Sequence, residues 1–356
     1  MSQWEVLADR EDPAKAEVRP AAPAPLQPGE VRLALEKLAM TTNNATYARF
    51  GDDGVIPFWN AFPGPEGYGR PPVWAYVKVT ESAHPDVAVG GRFYGYVPMS
   101  SHHVIAAQPV DGGLMDTSPQ RSFLHPWYLT FEPAGEPDPL DDRKAAVHPV
   151  YPAAYNLADL LERKADEGAR AVVLTSASSK VSIGLAAELA HRGTGLRRIG
   201  LTSRGNAAFV AGLGLYDEVA TYDAPASAEQ GGPIVFVDVT GDPDLRRGVA
   251  GHHAANLAAT VLVGFTHPAA SVLPPPDMPG PDPEVFFTPA VEGQTAQEEG
   301  QEVYRARYAA AERRFLEHST SWLTVRNGQG PEEIVAAYQA LLAGEQRPDE
   351  IVALTP

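Results

Sequence analysis

The sequence predicts an α/β protein of two domains: a β-rich domain, then a doubly wound domain around a parallel sheet. Three observations predict it. Up to about residue 130, short strand-like runs are separated by Gly and Pro, the composition of an irregular β-barrel-like domain. After Pro149, apolar strand-length runs alternate with helical patterns, which calls for a parallel sheet with right-handed crossovers. The tail from Trp322 reads strand, helix, strand, so the chain is expected to return to its first domain.

Taken in order, residues 11–29 are rich in Ala and Pro and read as an extended surface lead-in. GEVRLALEKLAMT alternates Val31, Leu33 and Leu35, a strand signal. Gly67–Pro72 is a turn cluster, followed by the strand VWAYVKVT and the turn-bounded stretch VGGRFYGYVPMSSHHVIAA. Tyr155–Gly168 sets Leu157, Leu160 and Leu161 on one helical face. AVVLTSASS is a short apolar strand running into a Ser-rich turn, and VSIGLAAELAHRG is the helix after it. RRIGLTS, DEVATYD, PIVFVDVTG and LAATVLVGFTH supply further strands, with NAAFVAGLG helical between the first two. Residues 268–285 form a Pro-rich loop and Arg305–Phe315 a charged helix. The expected division is 1–150 with 300–356, and 151–299.

Composition narrows the function. Hydrophobic residues make up 44% and charged residues 21% of the 356, so the chain buries proper cores. The net charge of −17 repels phosphate backbones and anionic lipid, and argues against nucleic acid and membrane as partners. A small anionic cofactor needs only a local cationic spot. No apolar run reaches membrane-spanning length; Leu257–Phe265 is only strand-length. The start MSQWEVLADRED lacks the pattern of a signal peptide, and a cytoplasmic location is the expectation. There is no cysteine, which excludes disulfides, cysteine nucleophiles and cysteine-ligated zinc. The pairs His102-His103 and His252-His253 point in different directions along any regular element. They are read as surface or pocket histidines, and no metal site is expected.

Several segments in order resemble the medium-chain dehydrogenase/reductase superfamily. GEVRLALEKLAMTTNNATYARFG is similar to its opening strand and active-site loop, and TYARFG to that loop in the zinc-free quinone reductases. VGGRFYGY, ARAVVLTSASSKVSIGLAAELA, LGLYDEVATYD and PEEIVAAYQALLAGEQRPDEIVAL resemble its turn, phosphate-binding helix, second-crossover element and C-terminal helix–strand. TTNNATY, SASSK, DEVATYD, VDVTG and GFTH together resemble a bacterial and fungal branch of unknown function. The resemblance implies a GroES-like catalytic domain and a Rossmann domain that binds NADPH. It also implies pairing of two copies through edge strands of the nucleotide domains. LAATVLVGF would supply such an edge, so a homodimer is expected.

The cofactor turn departs from the family. Ser179 or Lys180, and Ser182, stand where glycines usually bring backbone close to a pyrophosphate. Ser178, Ser179, Lys180 and Ser182 can hydrogen-bond phosphate at a helix N-terminus. Equally, SSK can be a helix cap with an exposed lysine. At the end of the second strand, Ser203 and Arg204 replace the acid that binds an NAD ribose, which favours the 2′-phosphate of NADPH. Tyr222 resembles the tyrosine that completes this pocket, or else packs at a strand end. Asp238 and Thr240 end one strand and His267 another; each either borders the nicotinamide or serves the adjoining turn.

Without metal, hydride transfer needs a group to polarise the acceptor and give a proton. Tyr47 lies in the loop that supplies such groups in the resembling enzymes, with Asn43 and Asn44 before it. The other reading is an Asx-turn pair and a packed tyrosine. Phe58, Trp59, Phe62, Tyr96 and Tyr128 either line an acceptor pocket or form ordinary core. Two functions compete on these residues. One is a zinc-independent NADPH-dependent reductase of an activated carbonyl, enone or quinone. The other is a catalytically inactive NADP(H)-binding sensor or scaffold, which the altered glycine turn supports.

Overall fold

The computed structural model describes residues 3–52, 57–224, 232–264, 270–271 and 274–356. Two compact units divide it: Met1–Pro149 with Leu323–Pro356, and Val150–Trp322.

In the first unit the strands are β1 (Trp4–Asp9), β2 (Ala16–Pro20), β3 (Glu30–Ala39), β4 (Tyr68–Gly69), β5 (Pro72–Ser82), β6 (Arg92–Pro98), β7 (His102–Val110), β8 (Gly113–Asp116) and β9 (Thr130–Pro133). Its helices are α1 (Thr42–Arg49), α2 (Phe58–Ala61), α3 (Pro126–Leu129) and α4 (Asp141–Val147). The second unit runs α5 (Tyr151–Asp166), β10 (Ala171–Leu174), α6 (Lys180–Arg192), β11 (Arg197–Thr202), α7 (Ala207–Gly212) and β12 (Glu218–Thr221). It continues through β13 (Ile234–Asp238), α8 (Pro243–His252), β14 (Leu257–Leu262), β15 (Glu284–Val285), α9 (Thr288–Glu299) and α10 (Gln301–Ser319). The chain then returns through β16 (Thr324–Gln329), α11 (Pro331–Leu342) and β17 (Glu350–Thr355).

The first unit is β-rich, as its Gly- and Pro-punctuated runs predict. One sheet runs β16-β17-β3-β5-β6-β9-β8-β7, and β3 also pairs with β7, which closes a barrel. Alternation sets Val31, Leu33 and Leu35 of β3 inward, onto a core shared with Val73, Ala75 and Val77 of β5. The expected lead-in at 11–29 is partly wrong. Ala16–Pro20 pairs antiparallel with Trp4–Asp9, because Trp4, Val6 and Ala8 alternate toward the core and that strand needs a partner. The return also differs from the expected boundary at 300, since the second unit extends to Trp322. Helix α10 belongs there: the Tyr304 hydroxyl accepts from Asn156 Nδ2 on α5 at 2.8 Å, and Arg314 pairs with Glu188 on α6 at 2.8 Å. The expected final strand pair returns together with α11, and β17 lies antiparallel to β3.

The second unit has the doubly wound plan. Its strand order is β12-β11-β10-β13-β14-β15, and every pairing is parallel. The order reverses between β10 and β13, where such sheets open a crevice at their carboxyl ends. α6 crosses close to α5, and Gly184 permits it. A Cβ there would lie 3.1 Å from that of Ala154 and 3.3 Å from the Tyr151 ring, so packing keeps the glycine that the phosphate turn lacks.

Candidate functional site

The carboxyl ends of β10 and β13 are joined by a buried polar network. Asp238, fully buried, receives five donors: Thr175 Oγ1 at 2.9 Å, Thr240 N at 3.0 Å, Thr240 Oγ1 at 2.7 Å, Gly241 N at 3.2 Å and Arg246 Nε at 2.8 Å. A carboxylate with that many partners is held in place and fully satisfied. Thr240 also accepts from the Asp242 amide at 3.2 Å, and Asp242 caps α8. Asp238 and Thr240 thus fix the strand end and the next helix. Arg246 and Thr175 complete this network and carried no periodic or motif signal in the sequence.

The β10–α6 turn is built by its serines. Ser179 is the N-cap of α6, its Oγ accepting from the Ser182 amide at 3.2 Å and donating to Ser182 Oγ at 3.1 Å. Ser182 Oγ in turn donates to the Thr175 carbonyl at 3.0 Å. Ser178 Oγ accepts from Asn206 at 3.1 Å. The two serines in glycine positions therefore bond to the turn itself. Ser176 adopts φ +48°, a left-handed conformation uncommon for a residue with a side chain. Its amide donates to the Tyr222 hydroxyl at 2.9 Å, which secures the turn. Burial raises the Tyr222 phenol, and the Ser176 amide works against that.

Lys180 opens α6, whose N-terminus is a ready anion site. Ser203 and Arg204 follow the end of β11 and are exposed. Arg204 forms an ion pair with Asp223, just beyond β12, and its side chain is 84% exposed. That acid is what the sequence reading missed, because it follows the third strand rather than the second. His267 lies outside the described residues.

In the first unit Tyr47 sits on α1, where the sequence reading had placed a loop. Thr41 caps this helix, and the Asn44 side chain accepts from the Thr41 amide at 2.9 Å while donating to the Pro72 carbonyl at 2.9 Å. Both ends of that buried amide are occupied by the local fold. Asn43 donates to the Pro149 carbonyl at 3.4 Å and also hydrogen-bonds the Tyr47 hydroxyl. Trp74 Nε1 donates to the same hydroxyl at 3.1 Å. The oxygen of Tyr47 thus takes the Trp74 N–H, with the Asn43 side chain interacting beside it. Burial pushes this phenol well above its usual range, aided by Tyr128 and opposed by Trp74 and Asn43.

The ring of Tyr47 packs 4.6 Å from Phe58 and 5.4 Å from Tyr96. Tyr96 lies 5.5 Å from Phe62 and 5.2 Å from Tyr128, and its buried hydroxyl has no partner among the described residues. Four of the aromatics singled out in sequence thus meet around Tyr47. Trp59 is instead wedged against Gly51 and Gly69, where any side chain would collide with its indole. His253 is buried rather than superficial, with neither ring nitrogen partnered among the described residues.

A family model described as "Protein of unknown function (DUF2855)" matches residues 38–347. No curated protein matches the sequence. Among solved structures, the chain is similar to CurA from Vibrio vulnificus in complex with NADPH, at 16% identity and TM-score 0.63, over 99% of this chain and 98% of that one. It is similar to a putative NADPH:quinone reductase from Mesorhizobium loti, at 16% identity and TM-score 0.64, over 100% and 98%. It is also similar to the yhdH oxidoreductase from Salmonella enterica in complex with NADP, at 15% identity and TM-score 0.58, over the full length of both. At these identities the likeness is one of fold.

Proposed function

We propose that this chain, which belongs to the DUF2855 family and has the fold of quinone-reductase-like medium-chain reductases, is an NADPH-dependent oxidoreductase. Its acceptor is an activated carbonyl, an enone or a quinone, and it works without zinc.

The observation that carries this reading is the Tyr47 hydroxyl. The Trp74 N–H holds its oxygen, and the Asn43 side chain stands beside it. Both work against the effect of burial and so stabilise the phenolate that forms as the proton leaves. Tyr96 adds a buried hydroxyl without a partner among the described residues. The surrounding rings exclude water and favour a flat, apolar acceptor.

The residues of the second unit fit NADPH. Lys180 opens α6, where helix amides favour phosphate, and Arg204, exposed after β11, would meet the ribose 2′-phosphate. Arg204 gives up only an exposed pairing with Asp223, worth little in water. NADPH supplies the hydride when bound. Tyr47 then donates its proton to the acceptor oxygen, and solvent restores it.

The serine chain of the β10–α6 turn favours the second reading, a binding protein without turnover. Ser179 and Ser182 spend their hydroxyls on the turn itself. A screen of NADPH oxidation against enones, quinones, aldehydes and ketones decides between the two. Turnover of any class supports the reductase. NADPH binding with no turnover of any class supports the sensor or scaffold.

Two copies are proposed to associate through the edge of the second unit's sheet. The expected edge strand β14 is covered by β15 only at Val261 and Leu262. Beside it Val285 and Phe287 are 61% and 44% exposed. Light scattering at micromolar concentration should give the mass of a dimer; a monomer mass contradicts it.

A further inference from the structure

We propose that a cavity in the first unit, walled by β1, residues 21–24 and the start of β7, binds a small organic carboxylate with a flat apolar body. The cavity encloses about 350 Å³, within the range of small-molecule sites. It stands apart from the cofactor determinants, which all belong to the second unit, and does not rest on the reductase reading.

Three arginines line it: Arg32, Arg70 and Arg121. Each is fastened by part of its guanidinium. Arg32 uses Nε on Glu81 at 3.1 Å and Nη2 on the Ala24 carbonyl at 2.6 Å. Arg70 uses Nε on Glu5 at 2.6 Å and Nη1 on the Pro63 carbonyl. Arg121 uses Nε on Asp116 and Nη2 on Ser118 Oγ at 2.8 Å and the Val104 carbonyl at 3.2 Å. In every case one terminal nitrogen has no protein partner among the described residues. The guanidiniums are thus held in place with donors to spare, and a planar carboxylate is the group that matches such donors.

The balance of charge agrees. Glu5 is the only carboxylate among the lining residues, while Glu81 and Asp116 are outside the wall. Each arginine is neutralised by one carboxylate, but two of these stand behind the wall, so guanidinium groups outnumber carboxylates on the cavity's surface. His103 also lines it, with a buried Nε2 that has no partner among the described residues. Burial, with Arg121 and Arg70 next in effect, holds this imidazole well below its usual range. It therefore stays neutral, and offers one directional hydrogen bond rather than a fourth charge. The apolar wall comes from Trp4, Phe62 and Pro98. Phe62 lies edge-on to His103 at 5.2 Å, and the Arg121 guanidinium lies 5.6 Å from the Phe62 ring. Such a wall suits the ring of an aromatic acid and offers nothing to a bare inorganic anion.

Calorimetric titration of the full chain with benzoate, benzamide and inorganic phosphate tests the assignment. Benzoate should bind saturably, and benzamide and phosphate should not. Arg70→Met removes the most exposed of the three cations and should weaken benzoate by about tenfold or more, with NADPH titration unchanged. The proposal is overturned if benzoate shows no saturable binding, if benzamide or phosphate matches it, or if folded Arg70→Met binds benzoate as wild type does. Should Arg70→Met fail to fold, the contrast between benzoate and benzamide on the wild-type chain decides.

Discussion

Tyr47→Phe keeps the ring against Phe58 and Tyr96 and deletes one oxygen. If that oxygen's proton goes to the acceptor, kcat should fall by about 10²–10³, as for loss of one transition-state donor. The Kd for NADPH should not move. The structure adds a stability effect, because the Trp74 indole N–H loses its acceptor. A buried donor left unpaired costs about 1–3 kcal/mol, so a modest drop in melting temperature should accompany the kinetic loss. Wild-type turnover in the variant would move the proton to another group, and the Tyr96 hydroxyl is the next to replace. At the cofactor, Arg204→Ala should reduce any preference for NADPH over NADH by about tenfold or more. Asp223→Asn should do the reverse, since it frees Arg204 for a phosphate. Fluorescence titration of both cofactors reads both variants. Equal affinities for NADPH and NADH in the wild type would remove Arg204 from the site.

At the scale of elements, the end of β13 depends on one side chain. Asp238→Asn keeps the shape but removes the charge that the fully buried Arg246 meets at 2.8 Å. Breaking such a pair costs about 3–5 kcal/mol. Denaturant unfolding should show that loss, and an unchanged midpoint would mean water reaches Arg246. After α8, His253 is 1% exposed and lowered to about 4 by burial, with His252 adding to it. Its folded value lies below the ordinary 6.5, so the unfolded chain binds the proton first as pH falls. Stability is full above pH 6.5 and declines toward pH 4, by at most about 1.4 kcal/mol per unit from this group. His253→Phe should flatten that acid limb of a melting-temperature profile; an equally steep limb would assign it to other groups, His103 among them. The periodic elements were legible in the sequence: β3, α6 and β10 through β14 follow from apolar spacing alone. β2 was not, because its alternation is masked by Ala and Pro and its partner is at the chain start. α1 was not, because TTNNATYAR has little apolar periodicity and is set by the Thr41–Asn44 cap. The site was legible as positions more than as roles. Ser179, Ser182, Tyr222 and Asp238 spend their polar groups on the fold, whereas Tyr47 and Arg204 remain the proposed site residues. Residue types show what can hydrogen-bond, and only the fold decides with what.

At the scale of the whole molecule, the two units differ in how the chain builds them. Val150–Trp322 is one continuous stretch with its own core of Val173, Ile199, Phe236 and Val249. The first unit is assembled from two ends. Ile334 and Tyr338 of α11 are completely buried in the same core as Val6 and Leu33, and β17 extends the sheet at β3. Residues 150–322 expressed alone should therefore melt cooperatively, whereas residues 1–149 alone should not, because they lack part of their core and an edge of their sheet. The same fragment isolates the cofactor reading, since Lys180, Arg204 and Tyr222 all lie within it. It should bind NADPH with a Kd within about tenfold of the full chain and oxidise none, for want of Tyr47. A folded fragment with no affinity for NADPH would remove the basis for a reductase, and leave a doubly wound sheet whose serine-built turn serves only itself.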